Sequence, residues 1–159
     1  MLKIGITGQN GFVGQYLYNS LGLVPESYKL IDFKKSFFEN EQQLDIFVSQ
    51  CDVIVHLAAM NRHEDQQVIY DTNIQLVESL VSSLDRTNSQ AHIIMSSSSQ
   101  EEKDNLYGKS KKKGRELFLN WEKDSKGLFT GLIIPNVFGP FGKPNYNSVV
   151  ATFCHKIAI

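Results

Sequence analysis

Short apolar, β-branched runs recur along the chain at Leu2–Thr7, Tyr28–Phe33, Asp52–Leu57, Ala91–Ser96 and Leu128–Pro135. Each is too short for a helix and too continuously apolar for a strand with one wet face, so the pattern predicts strands buried on both sides. Between them the apolar spacing lengthens to helical steps, most clearly over Val68–Leu84, where Ile69, Leu76, Val77, Leu80 and Leu84 recur every three or four residues. Alternating strand and helix predict an α/β fold, a Rossmann-like doubly wound parallel sheet with helices on both faces and right-handed crossovers. The interval from Phe33 to Asp52 departs from this rhythm. It has room for a short helix over Glu41–Ser49 but only a weak strand over Ser36–Phe38, so the strand expected there is short or missing.

Two further helices carry information. One begins at Tyr107 and places Lys111, Gly114, Phe118 and Trp121 on one face, an inward face, where a lysine requires a polar partner. The other runs from Asn147 to Ile159. Its Val149, Val150, Phe153, Ile157 and Ile159 are more apolar surface than one solvent-facing helix should show, so a covering lobe is expected. Residues 1–159 therefore read as one dinucleotide-binding domain, expected to be truncated, whose substrate lobe lies largely outside the chain. Left uncovered, that helix should drive self-association or local disorder, and such a fragment should bind dinucleotide without reducing a sugar.

Composition narrows the function classes. At 159 residues and 42% hydrophobic the chain can bury one substantial core. A net charge of −1 offers no electrostatic reason for a nucleic-acid or anionic-membrane partner. Lys109, Lys112 and Lys113 read as a solvated helix face. The two cysteines, Cys51 and Cys154, lie far apart without metal-ligand or CxxC spacing, as in a reduced cytosolic protein, with Cys51 in the core. The N-terminus lacks the layout of a signal peptide and no apolar run approaches the ~18 residues of a membrane span. A cytoplasmic location without a metal site is expected.

After the first apolar run, Gly8, Gly11 and Gly14 follow a Gly-x-x-Gly-x-x-Gly spacing. Gly8 would permit the tight turn, Gly11 would let the backbone approach a pyrophosphate, and Gly14 would let the first helix pack closely, its positive N-terminus facing the phosphates. Asp32, ending the second run, is positioned to accept hydrogen bonds from an adenosine ribose, which favours NAD. Lys34 and Lys35 follow at once and could pair with a 2′-phosphate instead, so the coenzyme stays open between NAD and NADP.

Tyr107 and Lys111 are one helical turn apart, and a serine run, Ser96 to Ser99, precedes them. A free tyrosine titrates near 10, and a cation within several ångströms lowers that by roughly 1 to 3 units, so Lys111 is expected to pull Tyr107 down. Tyr107 could then exchange a proton with a sugar or alcohol oxygen while hydride moves on the adjacent carbon, a serine hydroxyl binding the same oxygen.

Taken together, TGQNGFVG, VIVHLAA, the Asn73 helix, MSSSS, YGKSK and PNVFGP resemble the extended short-chain dehydrogenase/reductases, the superfamily of NAD-dependent epimerases and dehydratases acting on nucleotide sugars. The resemblance spans the chain. It implies catalytic roles for Ser98, Tyr107, Lys111 and Asn73, the last supporting the site through a water relay. It implies coenzyme contacts at Gly8, Asn10, Gly11, Phe12, Val13, Gly14, Asp32, Lys34, Leu57, Ala58, Ala59, Ser96, Lys111, Pro135 and Val137. Asn61 and Arg62 could reach a diphosphate, and the resemblance puts further substrate contacts near Asn136, Asn145 and Ser148. HLAAMNR, SSSSQEEKDNLYGKSK and KPNYNSVVATFCHKIA narrow the match to capsular-polysaccharide enzymes. Those enzymes join this domain to a zinc-binding cupin that epimerises C3 of a UDP-linked 4-keto sugar. The reductase domain then reduces the C4 ketone with NADPH, toward UDP-N-acetyl-L-fucosamine. The nine-residue step from Ser98 to Tyr107 is shared with that group. One departure is that Ile133 and Ile134 stand where members often carry arginine.

His56, His92, His63 and His155 read as structural or surface residues. The reading is therefore an NADPH-dependent reductase of a UDP-4-keto-deoxysugar, expected as a homo-oligomer. The alternatives are a 4-epimerase or dehydratase holding NAD tightly, and a dinucleotide-binding domain without turnover.

Overall fold

Each of the five apolar runs forms a strand. The computed structural model describes residues 1–146 and 148–158. Its strands are β1 (Leu2–Thr7), β2 (Tyr28–Ile31), β3 (Val53–His56), β4 (His92–Ser98) and β5 (Leu128–Ile134). They pair in parallel in the order β2-β1-β3-β4-β5. The helices are α1 (Phe12–Gly22), α2 (Glu41–Gln50), α3 (Gln66–Arg86), α4 (Leu106–Asp124) and α5 (Val149–Ala158). Side chains start four of them: Asn40 accepts from the Gln43 N–H, Asp65 from Gln67, Asn105 from Gly108 and Ser148 from Ala151.

The weak strand expected over Ser36–Phe38 does not form; Lys35–Glu39 is a 3₁₀ turn. The cause is aromatic packing. Phe33 meets Phe37, Phe38 and Phe47 edge-on at ring-centroid distances of 5.5, 5.2 and 4.9 Å. A strand would send Phe37 and Phe38 to opposite faces, whereas a turn brings both back onto Phe33 and the core.

The sheet faces are covered unequally. On one face Phe47 and Val48 of α2, Val77, Leu80 and Leu84 of α3, and Phe118 and Trp121 of α4 bury Ile54, Ile93 and Met95. On the other, α1 lays Leu17 and Leu21 over Ile4, Ile6 and Val55. Leu128 and Leu132 of the edge strand β5 stay 59% and 45% exposed. The expected apolar excess on the last helix is present: Val149, Val150, Phe153 and Ile157 of α5 all face solvent. Asn147 and Ile159, the ends of that expected helix, lie outside the described residues. No helix among the described residues is long and apolar enough to cross a membrane.

Candidate active site

β2 lies on one side of β1 and β3 on the other, so the chain leaves β1 for β2 and then returns across it to β3, opening a crevice beyond the carboxyl ends of β1 and β3. Two segments are zipped together at its floor. The Leu57 N–H donates to the Thr7 carbonyl at 3.0 Å, and Thr7 Oγ1 lies 2.9 Å from His56 Nδ1 and accepts from the Ala58 N–H at 3.5 Å. His56 is structural, as expected, and fully enclosed. Burial, with the Lys111 charge adding to it, lowers its pKa to about 3.

A pH dependence follows. The folded-state value lies below the ordinary value near 6.5, so His56 detracts nothing above pH 6.5. As pH falls below 6.5 the unfolded chain gains a proton that the fold refuses, a loss of about 2 kcal/mol by pH 5. Denaturant unfolding at pH 7 and pH 5 should show that drop, and His56→Gln should flatten it. An equal drop in the variant would assign it to other groups.

The glycine turn fits a dinucleotide. Gly8 has φ +80°, and a Cβ there would sit 2.7 Å from the Ala58 nitrogen. A Cβ on buried Gly14 would overlap the Gly8 carbonyl oxygen. Gly11 donates to that same carbonyl at 2.9 Å and leads directly into α1, which has neither a capping side chain nor an acidic residue in its first turn. The N–H groups of Phe12, Val13 and Gly14 are thus left for an anion, with exposed Asn10 beside them. Asp32 and Lys34 are exposed just beyond β2. Sequence reasoning missed Gln9, which donates to the Phe33 carbonyl at 3.0 Å and so pins the Asp32–Lys34 segment to the turn. Its Oε1 is buried without a partner among the described residues. A glutamine inside a glycine motif carries no periodic signal that could have revealed this.

Ser98 ends β4, half-buried, its hydroxyl accepting from the Gln100 N–H at 3.2 Å. Ser96 donates to the His56 carbonyl at 3.4 Å, joining β4 to β3 at the crevice. α4 turns the expected face inward: Gly108, Lys111, Gly114, Phe118 and Trp121 are buried, whereas Lys109, Lys112 and Lys113 are exposed. Lys111 is 4% exposed and Tyr107 is half-buried one turn before it. Neither the Tyr107 hydroxyl nor the Lys111 ammonium is committed to a hydrogen bond among the described residues.

Their electrostatics differ from expectation. Burial raises the Tyr107 pKa, and it lowers that of Lys111 to about 8 against the opposing pull of Glu101. Desolvation is the cause at Tyr107, and at Lys111 it outweighs the favourable charge of Glu101. Asn73 is likewise held directly. Its Oδ1 accepts from the Met60 N–H at 2.7 Å, and its Nδ2 donates to the Met60 carbonyl and to Ser110 Oγ, both at 3.0 Å. It joins the loop after β3 to α4.

Of the candidate substrate contacts, Asn61 and Arg62 meet the loop before α5. Tyr146 donates to Asn61 Oδ1 at 2.9 Å, while Arg62 donates to the Tyr146 carbonyl at 2.8 Å and lies 4.5 Å from its ring centre. Asn145 adopts φ 56° and donates its N–H to Thr152, and Ser148 accepts from the Ala151 N–H at the start of α5. Leu57 and Ala58 are half-buried and Ala59 exposed, and Pro135, Asn136 and Val137 are exposed after β5. That loop crosses α1, where Tyr16 donates to the Pro140 carbonyl at 2.6 Å.

The pattern of one family, the NAD dependent epimerase/dehydratase family, matches residues 4–159. A curated relative, the UDP-2-acetamido-2,6-beta-L-arabino-hexul-4-ose reductase of Pseudomonas aeruginosa, is 35% identical over 157 residues, covering 98% of this chain and 41% of its own length. The crystal structure of the capsular polysaccharide assembling protein CapF from Staphylococcus aureus is similar at 32% identity and a TM-score of 0.78, over 99% of this chain and 40% of that one. RMD from Pseudomonas aeruginosa, solved in complex with NADPH, has the same fold at 20% identity and a TM-score of 0.85, over 99% of this chain and 60% of that one. The chain thus spans about two fifths of the first two proteins.

Proposed function

The chain belongs to the NAD dependent epimerase/dehydratase family, and from that premise we propose that it forms the coenzyme-binding and proton-transfer half of a nucleotide-sugar reductase. The substrate is the C4 ketone of a UDP-linked 4-keto-deoxy-N-acetyl sugar, on the route to a capsular polysaccharide precursor, and the coenzyme is NADPH. The observation that carries the reading is Lys111, buried one helical turn from half-buried Tyr107, with both polar heads uncommitted. The 35% identity to a reductase of such a sugar supports the substrate class.

A nicotinamide dinucleotide, when bound, supplies the hydride. The turn at Gly8, Gly11 and Gly14 and the first N–H groups of α1 would hold its phosphates. Tyr107, kept protonated by burial, would donate its hydroxyl proton to the ketone oxygen as that oxygen becomes an alkoxide, and would recover a proton from solvent. Ser98 would donate to the same oxygen, and the Lys111 ammonium would stabilise the transient tyrosinate. Asn61, Arg62, Asn136, Asn145 and Ser148, on the loops beside α5, are the proposed sugar-nucleotide contacts. The exposed apolar side of α5 would receive a lobe that encloses the sugar.

NADPH is expected to bind more tightly than NADH, through Lys34 and Lys35. The preference should shrink between low and moderate salt as the lysine–phosphate attraction is screened. Calorimetric titration of both coenzymes tests this, followed by a turnover assay with the 4-keto sugar nucleotide. Tighter NADH binding at both salts would assign coenzyme choice to Asp32, and absence of binding to either would overturn the function.

A further inference from the structure

The short connection from Ser98 to Tyr107 is docked on α4 by a partly buried ion pair. Ser99–Glu102 forms a 3₁₀ turn directly after β4, and its Glu101 side chain is only 6% exposed. Arg115, on α4 one turn past Lys111, grips that carboxylate with both ends of its fork: Nε at 3.1 Å from each oxygen and Nη2 at 2.8 Å from Oε2. Ser97, buried on β4, donates its hydroxyl to Glu101 Oε1. A Cβ on Gly108 would overlap the Gln100 carbonyl oxygen, so the turn also lies flush against the first turn of α4.

From this arrangement we propose that Glu101 is a positioning residue. Clamped by Arg115 and Ser97, it fixes the turn that follows Ser98 against α4, and so sets the spacing of Ser98 from Tyr107 and Lys111 while placing its negative charge behind the lysine. The inference deepens the reductase reading and rests on Lys111 being the partner of the proton donor.

Two properties of the site need such a device. Eight residues lie between Ser98 and Tyr107, so little chain is available to absorb a shift, and a misplacement of about 1 Å can cost 10²-fold in rate. Lys111 is desolvated, which disfavours its charged form, and a nearby anion offsets part of that penalty. The titratable groups that bear on it are His56 from β3, neutral through burial, and Glu101; Tyr107 and Arg115 stand one turn before and after it on α4. Exposed Lys112 acts on Glu101 as well. Glu101 is the one anion of this set, and it opposes the effect of burial on Lys111.

The test is a pH titration of lysine side-chain nitrogens by NMR on the wild-type chain and on Glu101→Gln, with hydrogen exchange of the amides at 100–103 in Arg115→Lys. Glu101→Gln keeps the shape and removes the charge, so the Lys111 midpoint should fall from about 8 by roughly one unit. Mere loosening would admit water and raise that midpoint. A midpoint that rises or stays put therefore overturns the electrostatic role. Arg115→Lys keeps the charge but loses the fork, and exchange at 100–103 should quicken at least about tenfold while the α4 interior is unchanged. Unchanged exchange overturns the clamp, and this arm stands if Glu101→Gln does not fold. Failure of the reductase reading appears elsewhere, as a chain that binds no dinucleotide, and leaves both readouts intact.

Discussion

Tyr107→Phe is expected to lower ketosugar turnover by about 10²- to 10⁴-fold, the range of a lost general acid, with dinucleotide affinity nearly unchanged. The ring remains, so the half-buried packing at the start of α4 persists, and the glycine turn that would carry the coenzyme is on another element. Because the hydroxyl makes no hydrogen bond among the described residues, its removal leaves no partner stranded and should hardly alter stability. The raised Tyr107 pKa adds a directional expectation. The tyrosine is protonated across the neutral range, so reduction, which consumes its proton, should proceed without an alkaline requirement, whereas alcohol oxidation should rise as pH approaches the tyrosine value. Steady-state rates in both directions, alongside calorimetry, check this. A variant keeping more than about a tenth of the wild-type rate would remove Tyr107 from the proton transfer.

Gly14→Ala is expected to weaken coenzyme binding strongly. The new Cβ would meet the Gly8 carbonyl oxygen and lie 2.8 Å from the Gln9 Cα, which are backbone atoms and cannot rotate away. Relief requires moving α1 off the turn, an overpacking cost of about 1 to 3 kcal/mol, more than the ~1 kcal/mol alanine gains over glycine within a helix. Because the free chain can relieve that strain by shifting α1, whereas the bound state needs α1 seated on the turn, affinity drops by roughly 10- to 100-fold. Gly22→Ala is the control, since its Cβ would meet nothing within 4 Å. It should leave binding intact and leave stability equal or slightly higher. Thermal melts and NADPH titrations of both variants decide the matter. Tight binding by Gly14→Ala would mean that α1 can shift without harm to the phosphate site.

How far the site could be read from sequence depended on the range of the interaction. The five strands were legible because each is a short, nearly continuous apolar run; in the central strands this reflects burial on both faces, as at fully buried Ile54 and Ile93, whereas edge strand β5 leaves Leu128 and Leu132 exposed. Lys111 was legible as an inward lysine because helical spacing alone ties it to Gly114, Phe118 and Trp121. The fate of Ser36–Phe38 was not, because a strand and an aromatic turn share the same local composition, and Phe33 and Phe47 decide between them only once they are brought together. The Gln9–Phe33 and Glu101–Arg115 contacts span 24 and 14 residues with no repeating pattern. They exist only because the fold brings turn and helix together.

The sequence by itself determined the parallel α/β order, the glycine turn at the head of α1, and the ordering of Ser98, Tyr107 and Lys111, since periodicity and backbone sterics act over a few residues. Only the tertiary structure decided the protonation of the site. Whether Lys111 lowers Tyr107, or burial raises it, turns on how much water each side chain loses. That loss is set by α3, by β3 and by the turn at Glu101 closing around them, which are neighbours that sequence separation does not reveal.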